Sequence, residues 1–374
     1  MSGTLTPLTD RHHSLRDRLA EHTLDALLVN HLPNVAYLTG LRASAGVVLV
    51  ARDGLHLVID SRYATVAATL AAAESAPEGL QLVPVDHSYE EAVLTLLVRT
   101  GFRRVGVESA AISLRQWNWL SDRLRGSEVT LVAVEGLVEA SRIVKDEQEV
   151  MNFRAAGNLI AEAVTPILGL VQIGRRERDI AAEIDLTLAT HGFEDRAFPT
   201  IVASGPNSAL PHAHPSNRSV EAGDLVLLDF GGVYDGYCVD LSRTVCIDPI
   251  SEQASRLHAA VREAQQAAIA AVGPGVVASA VDAAARSTLA RYELVEAFGH
   301  GTGHGLGLEI HEAPRVGQAG RPGTDVILRS GMVFTVEPGV YVPGVGGVRI
   351  EDDVLVTETG CEILTNAPRD LPAR

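Results

Sequence analysis

Leu225-Val226-Leu227-Leu228-Asp229-Phe230-Gly231-Gly232-Val233-Tyr234-Asp235-Gly236-Tyr237-Cys238-Val239-Asp240-Leu241-Ser242-Arg243-Thr244 contains two β-prone runs joined by an Asp-Gly turn. Glycine takes a positive φ at no steric cost, so Asp-Gly between such runs is a strong hairpin signal. Asp229 and Asp240 lie about equally far from the turn. They are therefore expected to face each other across the ladder, roughly 5 Å apart at Cβ. Two like charges among apolar neighbours repel and lose hydration. A bound cation removes that penalty. Two solvated acids on a loop is the ordinary alternative, and the remaining motifs decide between them.

Composition narrows the classes. With 374 residues the chain is long enough for two cores. A net charge of −16, with no Lys- or Arg-rich block to offset it, argues against nucleic acid and against an anionic membrane surface. Cys238, Cys246 and Cys361 form no CxxC pair and are odd in number, which fits a reducing compartment. Met1 to Asn30 has no signal-peptide h-region, and no apolar run approaches a membrane-spanning length. The expected location is the cytoplasm.

Taken in order, the first part alternates helices and strands. A helix is expected over 11–22, with Leu15 and Leu19 on one face, then a buried strand from Ala26 to Val29. A hairpin follows, Val47 to Val50 and Leu55 to Ile59, joined at Asp53-Gly54. Strands at 82–85, 105–108 and 130–134 alternate with helices at 89–100 and 113–124. This predicts a supporting α/β domain over residues 1–140 with one mixed sheet. From Asp146 the spacing turns helical, through Val150, Phe153, Ile160, Val164 and Ile167, and again through Ile180, Ile184 and Leu188. Further helices are expected at 251–272 and 279–292, the latter with a capping box from Ser279 to Asp282. Strands at 200–203, 225–231, 237–246, 332–337 and 348–356 complete an α+β domain over 141–374, its helices covering one face of an antiparallel sheet.

Four stretches beyond the hairpin carry chemistry-bearing residues. Pro211-His212-Ala213-His214 lies in a loop, and His300 to Glu312 is a glycine-and-histidine run without helical period. Thr335-Val336-Glu337-Pro338-Gly339 ends a strand in an acid. Gly346 to Asp353 reads as a strand with Arg349, Glu351 and Asp353 on one face. The glycines at 299–307 do not lead from a strand into a helix, which argues against a dinucleotide loop. His311-Glu312 is not H-E-x-x-H, because position 315 is Arg, and there is no G-x-S-x-G elbow. Two Asp, one His and two Glu at strand ends and loops of one domain make a ligand set for two divalent metals. Mostly oxygen donors with one nitrogen suit Mn²⁺, Co²⁺ or Zn²⁺ rather than a thiolate zinc site.

The order and spacing of these motifs resemble the pita-bread metallopeptidases, specifically the Xaa-Pro branch of prolidases and aminopeptidase P. The resemblance spans nearly the whole chain and includes a creatinase-like N-terminal domain. It implies metal ligands at Asp229, Asp240, His304, Glu337 and Glu351, with Asp240 and Glu351 bridging two ions, manganese foremost. It further implies that His212 takes part in proton transfer, that His311 contacts the scissile carbonyl and that His300 lines the proline pocket. Glu337 shares in returning a proton, and Tyr341 and Arg349 stand behind the ligands on the substrate side. The implied substrates are proline-containing dipeptides or short peptides, and the implied assembly is a homodimer. A dipeptide ends in a carboxylate, for which Arg42 in the Gly40–Gly46 loop is the candidate cation. That favours an Xaa-Pro dipeptidase. Aminopeptidase P, and a non-catalytic peptide-binding relative, remain the alternatives.

Overall fold

Helix ends and turns mark out the elements first. The computed structural model describes residues 7–52 and 54–370, so residues 1–6 of the expected leaderless N-terminus and Asp53 of the first hairpin turn lie outside the described residues. The chain divides into two compact units, Met1–Arg142 and Ile143–Arg374. The first contains α1 (Pro7–Glu21), β1 (Ala26–Val29), α2 (Leu32–Thr39), β2 (Val47–Ala51), β3 (Leu55–Ile59) and α3 (Ala64–Ala72). It continues with β4 (Leu80–Pro84), α4 (Tyr89–Thr100), β5 (Arg104–Glu108), α5 (Leu114–Arg123), β6 (Thr130–Val134) and α6 (Glu139–Arg142). Its strands form one sheet in the order β4-β3-β2-β1-β5-β6. β1 runs antiparallel to β2 and parallel to β5, which makes the sheet mixed, as expected. Every residue of β1 is buried, which explains its unbroken apolar run. Two helices had no periodic signal. α2 has Pro33 as its second residue and stops at Gly40 in the left-handed region (φ 74°), and α3 is alanine-rich with only Ala67 buried.

The second unit contains α7 (Glu147–Gly169), α8 (Glu177–Thr190), β7 (Asp195–Arg196), β8 (Ile201–Ser204), β9 (Leu225–Tyr234) and β10 (Tyr237–Cys246). Then come α9 (Glu252–Ala270), α10 (Ala278–Arg291), β11 (Gly303–Gly305), β12 (Glu312–Val316), β13 (Val333–Val336), β14 (Gly339–Val342), β15 (Gly346–Arg349), β16 (Asp352–Val356) and β17 (Cys361–Ile363). Asp146 begins α7 with a capping box, its carboxylate accepting from Glu149 N–H while Glu149 accepts from Asp146 N–H, both at 2.9 Å. No such box begins α10. Its N-cap is Val277, and Ser279 to Asp282 lie inside the helix, where Asp282 accepts from Arg286 instead.

All described pairings in this unit are antiparallel, but they make three sheets rather than the expected one. β10-β9-β7, with β8 also on β9, form the first, and β12-β11-β13-β16-β17 the second. β14 and β15 pair only with each other. The expected strand over 348–356 is thus broken at Ile350-Glu351, where the chain leaves one sheet for another. Phe153, Ile160, Ile180 and Ile184 of α7 and α8 share one core with Val226, Leu228 and Phe230 of β9. Leu257, Val261, Val281 and Leu289 of α9 and α10 share another with Phe334, Val336 and Val354. Each such side chain contributes about 1.5–3 kcal/mol by burial. No helix among the described residues is long and apolar enough to cross a membrane.

The hairpin register corrects one expectation. Asp235 and Gly236 both have positive φ (47° and 82°), a two-residue turn that pairs Tyr234 with Tyr237. Asp229 then lies opposite Ser242, and Asp240 opposite Gly231. The two acids are diagonal neighbours, not a facing pair, because Asp229 is further from the turn than Asp240. The offset of two keeps both on one face.

Candidate metal centre

The long ladder of β9 and β10 presents Asp229 and Asp240, both buried, on the same side. β11 brings His304 beside them. Its backbone N–H donates to Thr335 Oγ1 (3.1 Å) and its Nδ1–H to the Gly305 carbonyl (3.2 Å). The Nε2 lone pair is therefore left bare, 3.6 Å from Glu337 Oε1 and 3.9 Å from Asp240 Oδ2. Burial, with His311 beside it, pushes the His304 pKa down to about 4, so the imidazole is neutral. Glu337 follows β13, its N–H donating to the Thr302 carbonyl (2.7 Å). Burial, with Asp229 nearby and Arg349 opposing, pushes Glu337 up to about 8. Glu351 sits at the crossover between sheets. Its N–H donates to Ser242 O (3.1 Å), and its Oε2 accepts from Ser242 Oγ (2.6 Å). Burial, followed by the neighbouring carboxylates, also raises Asp240 and Glu351 well above the usual range.

One ligating atom each from Asp240, His304 and Glu351 lies within 4.8 Å of the others. Glu337 joins them through its approach to His304. Asp229 stands slightly apart, one of its oxygens held by Arg349 in a buried ion pair. Asp229 Oδ1, Asp240 Oδ1 and Glu351 Oε1 are buried without a hydrogen-bond partner. Buried polar atoms are almost always satisfied, so three orphaned oxygens around one imidazole need an explanation. Divalent cations provide it. They use those lone pairs, reverse the repulsion among the carboxylates and accept a neutral imidazole. The donor set fits.

Around this cluster, His311 packs edge-on against His304, ring centroids 4.4 Å apart. His300 donates from Nδ1 to the Gly301 carbonyl (2.7 Å), so its Nε2 accepts from the Tyr341 hydroxyl at 3.0 Å. Burial, then Arg349, lowers the His300 pKa to about 4. Tyr341 in turn accepts from Arg349 Nη1 (2.6 Å). The loop that carries His212 reaches the same centre, the Pro211 carbonyl accepting from Arg349 Nη1 at 3.3 Å. Arg42 is an exposed residue of the first unit, between α2 and β2.

Residues 151–358 match metallopeptidase family M24, and residues 11–144 match the creatinase/prolidase N-terminal domain. The chain belongs to metallopeptidase family M24. It is 33% identical to an Xaa-Pro dipeptidase of Pyrococcus horikoshii, over 94% of this chain and 95% of that one. Its fold superposes on an Xaa-Pro dipeptidase from Bacillus anthracis with a TM-score of 0.92, at 32% identity, covering 98% of this chain and 100% of the other. An X-Pro aminopeptidase from Thermotoga maritima MSB8 gives 0.86, also at 32% identity, with 98% and 100% coverage. The pita-bread fold and the Xaa-Pro branch expected from the sequence therefore stand, and the protein is a peptidase.

Supporting residues of this M24 centre escaped the sequence. Ser242 Oγ donates to Glu351 and accepts from Arg349 Nε (2.9 Å), joining two site residues through one hydroxyl. Asp353 accepts the Asp240 N–H at 3.0 Å. It does so from a different sheet than Arg349, so the three residues expected on one strand face act from two strands and the crossover between them. Two-residue alternation from Asp240 does lead to Ser242. No local signal marks Asp353 as the partner of a distant amide.

Proposed function

We propose that this peptidase is a dinuclear, metal-dependent Xaa-Pro dipeptidase, cleaving the bond between an N-terminal residue and proline. The observation that carries the proposal is the cluster of Asp240, His304 and Glu351, with buried carboxylate oxygens of Asp229, Asp240 and Glu351 left without hydrogen-bond partners. Asp229, Asp240, His304, Glu337 and Glu351 would hold two divalent ions, manganese foremost with cobalt or zinc as substitutes. When bound, such ions lower the pKa of water and polarise a carbonyl.

The remaining chemistry belongs to the chain's own side chains. Arg349 fixes Asp229 and, through Tyr341, the tautomer of His300. His300, next to Phe298 (centroids 5.0 Å apart), forms part of an aromatic wall suited to a proline ring. His311 is assigned to the oxygen of the scissile carbonyl, where a positioned donor stabilises developing negative charge. His212 or Glu337 delivers a proton to the proline nitrogen as it leaves. Arg42, charged and exposed, is assigned to the dipeptide's terminal carboxylate. The similarity to an X-Pro aminopeptidase keeps a second reading, action on longer peptides. Three cysteines free of disulfides support a reducing, cytoplasmic setting, and a homodimer is the proposed assembly.

The test is metal analysis combined with turnover of Xaa-Pro and Xaa-Pro-Xaa peptides. Chelation should abolish hydrolysis, and Mn²⁺ should restore it. Asp240→Ala and Glu351→Ala should each lose both metal and activity, and full turnover in either would overturn the assignment. Faster cleavage of the tripeptide would favour the second reading, and unchanged dipeptide preference in Arg42→Ala would remove the role assigned to Arg42.

A further inference from the structure

We infer that Glu177 is the positioning residue of the loop that carries His212. The inference rests on the proposed proton-transfer role of that histidine. Glu177 is the first residue of α8 and is wholly buried. Its Oε1 accepts from Ser204 N–H and Ser204 Oγ–H, both at 2.7 Å, and from Asn207 Nδ2–H at 3.0 Å. Its Oε2 accepts from Ser216 N–H (2.9 Å), Ser216 Oγ–H (2.6 Å) and, at 3.2 Å, Asn207 Nδ2–H. Ser204 and Ser216 are the two feet of the loop in which Pro211-His212-Ala213-His214 lies. One carboxylate thus closes the loop from both limbs.

The crest of the same loop is tied to the metal centre. Pro211 O accepts from Arg349 Nη1 (3.3 Å), and Arg349 grips Asp229. Ser208 Oγ accepts from Gly347 N–H at 2.9 Å. His212 therefore sits between a fixed base and a crest joined to a candidate ligand's partner. Glu177 is also held in its ionised form. Burial pushes its carboxyl up, but the donors of Ser216 and Ser204 outweigh burial and hold it below the ordinary value. The start of a helix favours the negative charge further. Only an acceptor on both oxygens suits this cradle, since every partner donates. Glutamine would set an NH₂ group against donors and lose one limb. Ile180 and Ile184 of α8 and Val202 of β8, by contrast, belong to one buried apolar core, which does not need the carboxylate.

The experiment uses the full-length, metal-loaded enzyme and compares Glu177→Gln, Ser216→Ala, His212→Asn and the double variant Glu177→Gln/His212→Asn. Misplacing a catalytic group by about 1 Å lowers turnover about 100-fold. Glu177→Gln should therefore lower kcat by about 10- to 100-fold, change KM less and leave metal stoichiometry intact. Its kcat–pH profile should lose the same limb that His212→Asn loses. The double variant should be no slower than His212→Asn alone. Hydrogen exchange should quicken across 204–216 and nowhere in β9, β10 or α9. Ser216→Ala, the milder change, should do the same more weakly if Glu177→Gln folds poorly. Unchanged exchange over 204–216, or additive losses in the double variant, would overturn the inference. If His212→Asn turned over like wild type, the proton-transfer role would fall, and the exchange experiment would still decide whether Glu177 holds the loop.

Discussion

At the scale of single residues, the centre depends on side chains that touch no metal. Ser242 is the clearest case, because its hydroxyl joins Arg349 to Glu351. Ser242→Ala leaves a buried carboxylate oxygen and a guanidinium N–H without that partner, at a cost of about 1–3 kcal/mol. Loss of a partner behind a ligand typically weakens metal binding about 10- to 100-fold. Competition with a chromophoric chelator should show a drop of that size in Ser242→Ala. A second prediction concerns acid stability. His258 is buried in α9, and burial, then Arg262, lowers its pKa to about 4 from 6.5. Its folded form binds protons less readily than the unfolded chain, so its stabilising contribution is complete above pH 6.5 and is lost as pH falls toward 4. The full effect is about 3 kcal/mol. Urea midpoints measured at pH 7 and pH 5 should lie closer together in His258→Gln than in wild type. The candidate ligands were legible because acids and a histidine in apolar or glycine-rich strands have few other uses. Ser242 and Glu177 were not, since a serine in a strand or a glutamate at a helix start is ordinary until its distant partner is known, and Asp353 was singled out without its partner, the Asp240 amide.

At the scale of elements, register decides more than composition. The hairpin over 225–246 was legible from its Asp-Gly turn and apolar runs, whereas the pairing of Asp229 with Ser242 depended on the turn holding only Asp235 and Gly236. The three-sheet arrangement was hidden for a similar reason. Nothing local at Ile350-Glu351 announces that the chain changes sheets there, and α3 buries too little to show a periodic stripe. Gly303 and Gly305 of the histidine run belong to β11, a strand too short and too glycine-rich to show a period. Gly303 is needed for close approach, because a Cβ there would fall on the Thr335 carbonyl oxygen of the neighbouring strand. Gly303→Ala should push β11 away from β13 and destabilise the protein by about 1–3 kcal/mol. It should also carry His304 out of line, so that metal affinity falls with the denaturation midpoint. A variant stable to within experimental error would show that the approach is not required.

At the scale of the whole molecule, all five candidate ligands lie in the unit Ile143–Arg374. Anything that binds the folded state alone stabilises what it binds to. Adding Mn²⁺ to stripped protein should therefore slow hydrogen exchange in β9, β10, β11, β13 and β16, while β1 to β6 keep their metal-free rates. Equal slowing in the first unit would contradict this. The Glu351 crossover has a consequence for timing. Its carboxylate meets Asp240 and His304 only once strands from separate sheets have come together, and Arg243 binds Asp352 and the Ala367 and Pro368 carbonyls nearby. Until Glu351 has joined Asp240 and His304, the chain has no finished cage to offer, so ion capture follows the meeting of the two sheets rather than preceding it.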